Sequence, residues 1–140
     1  MSALQEANLV VALDQLEEAE ATSVVDELAA AGVSWFKVGL ELYTKTGPAF
    51  VECLKKKNLK VFLDLKLHDI PTTVEKAVSA AKNTGADIVT LHCAGGAEMM
   101  KAAAAAAKAS QLQVVGVTIL TSLSKADFLW IQESICGPNV

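Results

Sequence analysis

Five short apolar runs recur along the chain at almost constant spacing. Leu9–Leu13, Ser34–Val38, Lys60–Leu65, Asp87–Leu91 and Gln113–Ile119 begin about 26 residues apart, and each has the length and aliphatic content of a buried strand. That interval suits one strand with its returning helix. The stretches between them carry helical signals. Val24, Val25, Leu28 and Ala31 follow helical spacing and stop at Gly32, and Pro48 suits a first helical position after Gly47. Val74, Ala77, Val78 and Ala81 form one stripe that ends before Gly85. Thr72 and Glu75 have the spacing of a capping box, with Pro71 just ahead. The alanine run Ala102–Ala107 reads as a strong helix former whose small side chains permit close packing. Strict alternation of this kind predicts an α/β fold with a parallel sheet covered by helices. No linker or shift of composition divides residues 1–140, so one domain is expected.

Two architectures satisfy the alternation: an open doubly wound sheet and a (β/α) barrel. The first strand-to-helix turn, Leu13-Asp-Gln-Leu-Glu17, has no Gly-x-Gly-x-x-Gly phosphate fingerprint, which counts against a dinucleotide-binding sheet. Polar residues recur instead at the ends of several strands: Asp14, Lys37, Asp64, Lys66, His92, Thr118 and Thr121. Sites assembled from many strand ends belong to the TIM-type barrel. Eight units of this size need roughly 210 residues, so 140 residues hold about five, an incomplete barrel.

The third strand carries the strongest functional signal. In Val61-Phe-Leu-Asp-Leu-Lys-Leu-His-Asp-Ile-Pro71, the charged Asp64 and Lys66 interrupt an apolar run. Residues two apart in a strand share a face, so this carboxylate and ammonium are expected to point the same way, with Asp69 following from the loop. Charges on an apolar strand are costly unless paired. Lys37 stands on another apolar strand with no partner nearby in sequence and is a further functional candidate. His68 reads as a structural hydrogen-bonding residue, His92 as rim packing, and Gly95-Gly96 as a close-packing turn before a helix.

Composition excludes several classes. A net charge of −4 gives no electrostatic case for nucleic acid or an anionic membrane surface. No apolar segment approaches the ~20 residues that span a bilayer. The N-terminal Met-Ser-Ala-Leu-Gln-Glu lacks the basic and apolar regions of a signal peptide, so a cytoplasmic location is expected. Cys53, Cys93 and Cys136 are odd in number and widely spaced, which argues against a disulfide framework or structural zinc. Cys53, within an apolar helical pattern, and Cys93, just past a strand, are expected to be buried or half-buried free thiols.

Taken in order, Val11-Ala-Leu-Asp14, Phe36-Lys-Val-Gly-Leu-Glu41, Asp64-Leu-Lys-Leu-His-Asp-Ile-Pro71, Leu91-His-Cys-Ala-Gly-Gly96 with Met99-Met100, and Val117-Thr-Ile-Leu-Thr-Ser-Leu123 resemble orotidine 5′-monophosphate decarboxylases. The Asp-x-Lys-x-x-Asp motif continued by Ile-Pro is the most specific element. The resemblance implies a barrel that forms a homodimer with shared active sites, and decarboxylation of orotidine monophosphate to uridine monophosphate in pyrimidine biosynthesis, without metal or organic cofactor. By the same resemblance, Lys66 is the proton donor and Asp64 stands beside the leaving carboxylate. Asp14 contacts the nucleotide, Lys37 the ribose, and Thr121 lines the pyrimidine end. Asp69, Ile70 and Thr73 are delivered to the neighbouring subunit's site. The loop that grips the phosphate in such enzymes lies beyond the fifth strand. Open edges at the first and fifth strands predict that these 140 residues by themselves associate, and without the remote binding energy of the phosphate loop they are expected to turn over negligibly. Two alternatives stand: a metal-dependent keto-sugar-phosphate decarboxylase or aldolase holding magnesium on Asp64 and a neighbouring carboxylate, or an inactive truncated half-barrel.

Overall fold

The computed structural model describes residues 9–136. Strands β1 (Val10–Ala12), β2 (Trp35–Gly39), β3 (Lys60–Leu67), β4 (Ile88–His92) and β5 (Gln113–Val117) alternate with helices α1 (Glu18–Ala30), α2 (Leu40–Thr46), α3 (Pro48–Lys56), α4 (Pro71–Asn83), α5 (Gly96–Ala107) and α6 (Lys125–Cys136). The strands form one parallel sheet in the order β1-β2-β3-β4-β5. A doubly wound sheet reverses its strand order at a switch point. Here every crossover among the described strands steps one place in the same direction, and crossovers of one hand then fall on one face of the sheet. This is the winding of a (β/α) barrel, carried through five units.

Burial follows that winding. Phe36 and Val38 of β2, Val61 and Leu63 of β3, and Val89 and Leu91 of β4 alternate into the layer shared with the helices and are buried. Their neighbours Trp35, Lys37, Phe62, Asp64 and Ile88 are half-buried on the opposite, inner face. The helices supply Ala21 and Val25 from α1, Phe50, Val51 and Leu54 from α3, and Val74, Val78 and Ala81 from α4. Each fully buried aliphatic side chain contributes roughly 1.5–3 kcal/mol of transfer free energy. In the alanine-rich α5, Met99, Ala103 and Ala107 recur at four-residue intervals on the buried side, which lets its backbone lie close to α4.

Several boundaries differ from the sequence expectation. β3 extends two residues past Leu65, and β5 stops at Val117. α2 follows β2 directly at Gly39, a helix for which the sequence pattern gave no separate signal. The Thr72 capping box does not form. Ile70 is the N-cap and Pro71 takes the first helical position, so Thr72 already lies inside α4. Proline fits there because its fixed φ is helical and its missing N–H is one that no helical carbonyl would accept. Cys53 is exposed rather than buried, because the inward stripe of α3 runs through residues 50, 51 and 54. Cys93 is half-buried as expected, and the Cys136 side chain lies outside the described residues. No helix among the described residues is long and apolar enough to cross a membrane.

Candidate active site

The C-terminal ends of the first four strands converge on one polar array. β1 runs into buried Leu13, whose N–H donates to the Lys37 carbonyl, and this sets Asp14 beside β2. The Lys37 Nζ donates to both oxygens of Asp14, at 2.9 and 2.7 Å. It also lies 3.5 Å from Asp64 Oδ2. The Lys66 Nζ donates to the same Asp64 oxygen at 2.8 Å. Carboxylate and ammonium thus alternate through Asp14, Lys37, Asp64 and Lys66. At Gly39 a Cβ would overlap the Asp14 carboxylate as it is placed, so a side chain there would push Asp14 out of the array.

Asp64 and Lys66 meet as expected, but not through a regular strand. β3 pairs Leu63 with Val89 and then Leu67 with Leu91, so four steps along β3 match two along β4. Within this irregularity Lys66 has φ +49°, the left-handed region that side chains other than glycine seldom occupy. Bulges of this sort re-aim side chains next to active sites. The irregularity also changes the hydrogen bonding. The Lys66 N–H donates to Thr90 Oγ1 at 2.8 Å, and that hydroxyl donates to Asp64 Oδ1 at 2.9 Å.

The Asp64 carboxyl is held below its usual range. Burial opposes its charged form, but the bonds from Lys66 and Thr90, with the nearby charges of Lys66 and Lys37, outweigh that penalty. The side chain is 14% exposed. Beside the array opens a cleft of about 490 Å³, lined by Lys37, Asp64, Lys66 and Thr90 together with Phe62, Val115, Val117, Ile119, Leu120, Thr121 and Ser122. The cleft therefore combines charged groups with a mostly apolar lining.

Of the residues singled out in sequence, Asp14, Lys37, Asp64 and Lys66 come together, and Thr121 lines their cleft. Thr118 is exposed and does not line it. Asp69, Ile70 and Thr73 are not brought to the array. All three are exposed past the end of β3, Ile70 at 65%, and Asp69 Oδ1 accepts the N–H of Ile70 at 2.7 Å. His68 and His92 stack with ring centroids 5.3 Å apart, and His92 Nδ1 is buried without a partner among the described residues. Gly95 is a close-packing position, since a Cβ there would overlap the Met99 side chain and come within 3.2 Å of His68. The sequence reading missed Thr90. Its signal was a hydroxyl inside the apolar stretch Ile88–Leu91, easily mistaken for an ordinary β-branched strand former. Among the described residues, no group of three or more His, Cys, Asp or Glu side chains is placed to hold a metal ion.

Residues 7–135 match the family described as Orotidine 5'-phosphate decarboxylase / HUMPS family. Among curated proteins, one named orotidine 5'-phosphate decarboxylase from Tolumonas auensis (strain DSM 9187 / NBRC 110442 / TA 4) is 45% identical over 129 residues, covering 89% of this chain and 54% of the relative. Another of the same name, from Prochlorococcus marinus (strain NATL2A), is 38% identical over 136 residues, covering 92% of this chain and 53% of the relative. The chain spans about half the length of the curated relatives it matches. Its structure resembles the crystal structure of orotidine 5'-phosphate decarboxylase from Lactobacillus acidophilus with a TM-score of 0.81 and 33% identity, over 89% of this chain and 58% of that one. A conserved protein of Geobacillus kaustophilus, described as uncharacterized, superposes with a TM-score of 0.78 at 39% identity, over 86% of this chain and 58% of the other.

Proposed function

This chain belongs to the orotidine 5'-phosphate decarboxylase / HUMPS family, and on that premise we propose that the protein carrying it converts orotidine 5′-monophosphate to uridine 5′-monophosphate in pyrimidine biosynthesis. The observation that carries this reading is the alternating array Asp14–Lys37–Asp64–Lys66 at the edge of a largely apolar cleft. Loss of carbon dioxide breaks the bond between C6 of the pyrimidine and its carboxylate and leaves the electron pair on C6, in an orbital the ring delocalises poorly. Lys66, a fixed positive charge at the cleft, stabilises that pair and then transfers a proton from Nζ to C6, with solvent restoring the ammonium. Asp64 holds the Lys66 Nζ and presents negative charge towards the substrate carboxylate. Asp14 engages the nucleotide, Lys37 its ribose, and Thr121 lines the pyrimidine end.

Asp69, Ile70 and Thr73 act, in this reading, in the site of a second subunit of a homodimer. Their exposure past β3, away from their own array, supports that assignment. The magnesium-dependent alternative is not favoured, since both Asp64 oxygens already accept hydrogen bonds from Lys66 and Thr90. The protein is proposed to work in the cytoplasm as one α/β domain over residues 1–140, with neither nucleic acid nor membrane as partner.

The experiment is to incubate the purified full-length protein that carries residues 1–140 with orotidine monophosphate and follow loss of the orotate absorbance, with and without a chelator. Turnover that is indifferent to the chelator is expected. Absence of turnover, or its loss on chelation, overturns the reading.

A further inference from the structure

We propose that Thr90 is a positioning residue, whose single hydroxyl orients the Asp64 carboxylate and at the same time pins the left-handed backbone of Lys66. Its effect on rate rests on the decarboxylase reading above, whereas the orientation itself does not.

The direction of each hydrogen bond is fixed by the chemistry of the groups. A backbone N–H can only donate, so at 2.8 Å from Lys66 N the Thr90 oxygen must be the acceptor. The hydroxyl has one hydrogen, and the remaining partner, Asp64 Oδ1 at 2.9 Å, is an acceptor when ionised. The relay therefore runs one way, from the Lys66 N–H through the Thr90 O–H to the Asp64 carboxylate. Asp64 Oδ2 accepts from the Lys66 Nζ. Lys66 is thus held at both ends, its amide by Thr90 and its ammonium by Asp64, and the plane of the carboxylate is set by two anchors from different strands.

The arrangement answers a need created by the bulge. Where β3 uses four residues against two of β4, the Lys66 amide turns to a side chain for its acceptor. Thr90 is in the right place because β4 is regular and Val89 and Leu91 on either side of it are buried. At 3% exposure its hydroxyl has little water to compete for it, and a hydrogen bond shielded from water is stronger. The charged groups facing Asp64 are Lys37 from β2 and Lys66 of its own strand, with Asp14 beyond Lys37. Thr90 is the uncharged partner from β4, and its removal leaves those charges in place.

Thr90→Val keeps the shape and deletes the hydroxyl, and Thr90→Ser keeps the hydroxyl and deletes a methyl. In the purified protein, Thr90→Val should lower kcat by roughly tenfold to a hundredfold, as expected for losing one hydrogen bond to a charged group, with KM for orotidine monophosphate little changed. Thr90→Ser should recover most of that rate. Independently of turnover, NMR titration of the Asp64 carboxyl carbon should move to higher pH in Thr90→Val and stay near wild type in Thr90→Ser. An unchanged kcat or an unchanged Asp64 titration in folded Thr90→Val overturns the proposal. So does a Ser variant as impaired as the Val variant, which would assign the effect to packing. If the wild-type protein does not decarboxylate the nucleotide, the functional reading fails and the Asp64 titration alone decides the role of Thr90.

Discussion

Two carboxylates, one at each end of the sheet, are buried to nearly the same degree and surrounded by the same residue types. Asp87 precedes β4 at the N-terminal edge. Its Oδ2 accepts from Lys55 at 2.6 Å and from the Val61 N–H at 2.8 Å, and its Oδ1 accepts from Lys60 at 2.9 Å. Asp64 stands at the C-terminal edge with Lys66, Lys37 and Thr90. The Asp87 side chain is 12% exposed, and like Asp64 its carboxyl is held below the usual range, because bonds from Lys55, Lys60 and Val61 outweigh the opposing effect of burial. A hollow of about 470 Å³ opens near Asp87, almost the size of the cleft at Asp64, so volume does not distinguish the two ends.

What distinguishes them is the charge pattern and the backbone. Around Asp87 the strands pair in regular register, and its bonds tie the end of α3 to the start of β3 and the entry to β4. The array at Asp64 alternates two acids with two bases and carries a left-handed lysine within a bulge. In barrels of this type active sites sit at the C-terminal face, and the N-terminal face contributes to stability. The same aspartate with two lysines therefore supports either role, and the local backbone indicates which.

The most demanding test of that contrast is at Lys66. Lys66→Ala should reduce decarboxylation by a factor of about 10²–10⁴, the range for loss of a general acid, while leaving product binding measurable. Retention of more than about a tenth of the wild-type rate, a change of only ~1.4 kcal/mol, would remove Lys66 as the acid. A second test asks whether the exposed Asp69 acts across a dimer. Mixing inactive Lys66→Ala and Asp69→Ala subunits should restore about a quarter of the sites, since half of randomly paired two-fold dimers are mixed and each holds one intact site. No recovery in verified mixed dimers would confine Asp69 to its own subunit.

At the other end of the sheet the expected response is in stability. Asp87→Asn should lower unfolding free energy by about 2 kcal/mol, the scale of charge-assisted bonds weakened at a buried site, with kcat unchanged in the variant that remains folded. A fall in kcat without a loss of stability would erase the distinction between Asp87 and Asp64. The smallest effect is on acid unfolding. Asp64 and Asp87 titrate lower in the folded protein than in the unfolded chain. Their contribution is therefore complete above about pH 4, the unfolded carboxyl range, and fades as pH falls through the depressed folded values. Asp87→Asn should make denaturant midpoints fall less steeply between neutral and acidic pH. A slope identical to wild type would show that Asp87 is not coupled to folding.

Much of this was legible from spacing. Each of the five apolar runs overlaps its strand to within two residues at either end, the stops at Gly32 and Gly85 fall just past helix ends, and Pro48 opens α3. Thr72 and Cys53 were misread for one reason: local pattern gives the residue types of a cap or an apolar stripe but not the phase of the helix. Pro71 set that phase at α4, and the contacts of residues 50, 51 and 54 set it at α3. Thr90 was passed over because its partners, Asp64 and Lys66, lie 26 and 24 residues away in sequence.

The sequence by itself determined the alternation of strand and helix, and with Asp64, Lys66 and Lys37 it marked where charge interrupts apolar strands. These are properties of periodicity and composition within one element. Only the tertiary structure decided that the strands run in sequential order, that the β3 bulge turns Lys66 towards Asp64, and that Thr90 joins them. Those outcomes depend on register between strands, and register is set by side chains packing across the sheet and against the helices, where residues distant in sequence become neighbours.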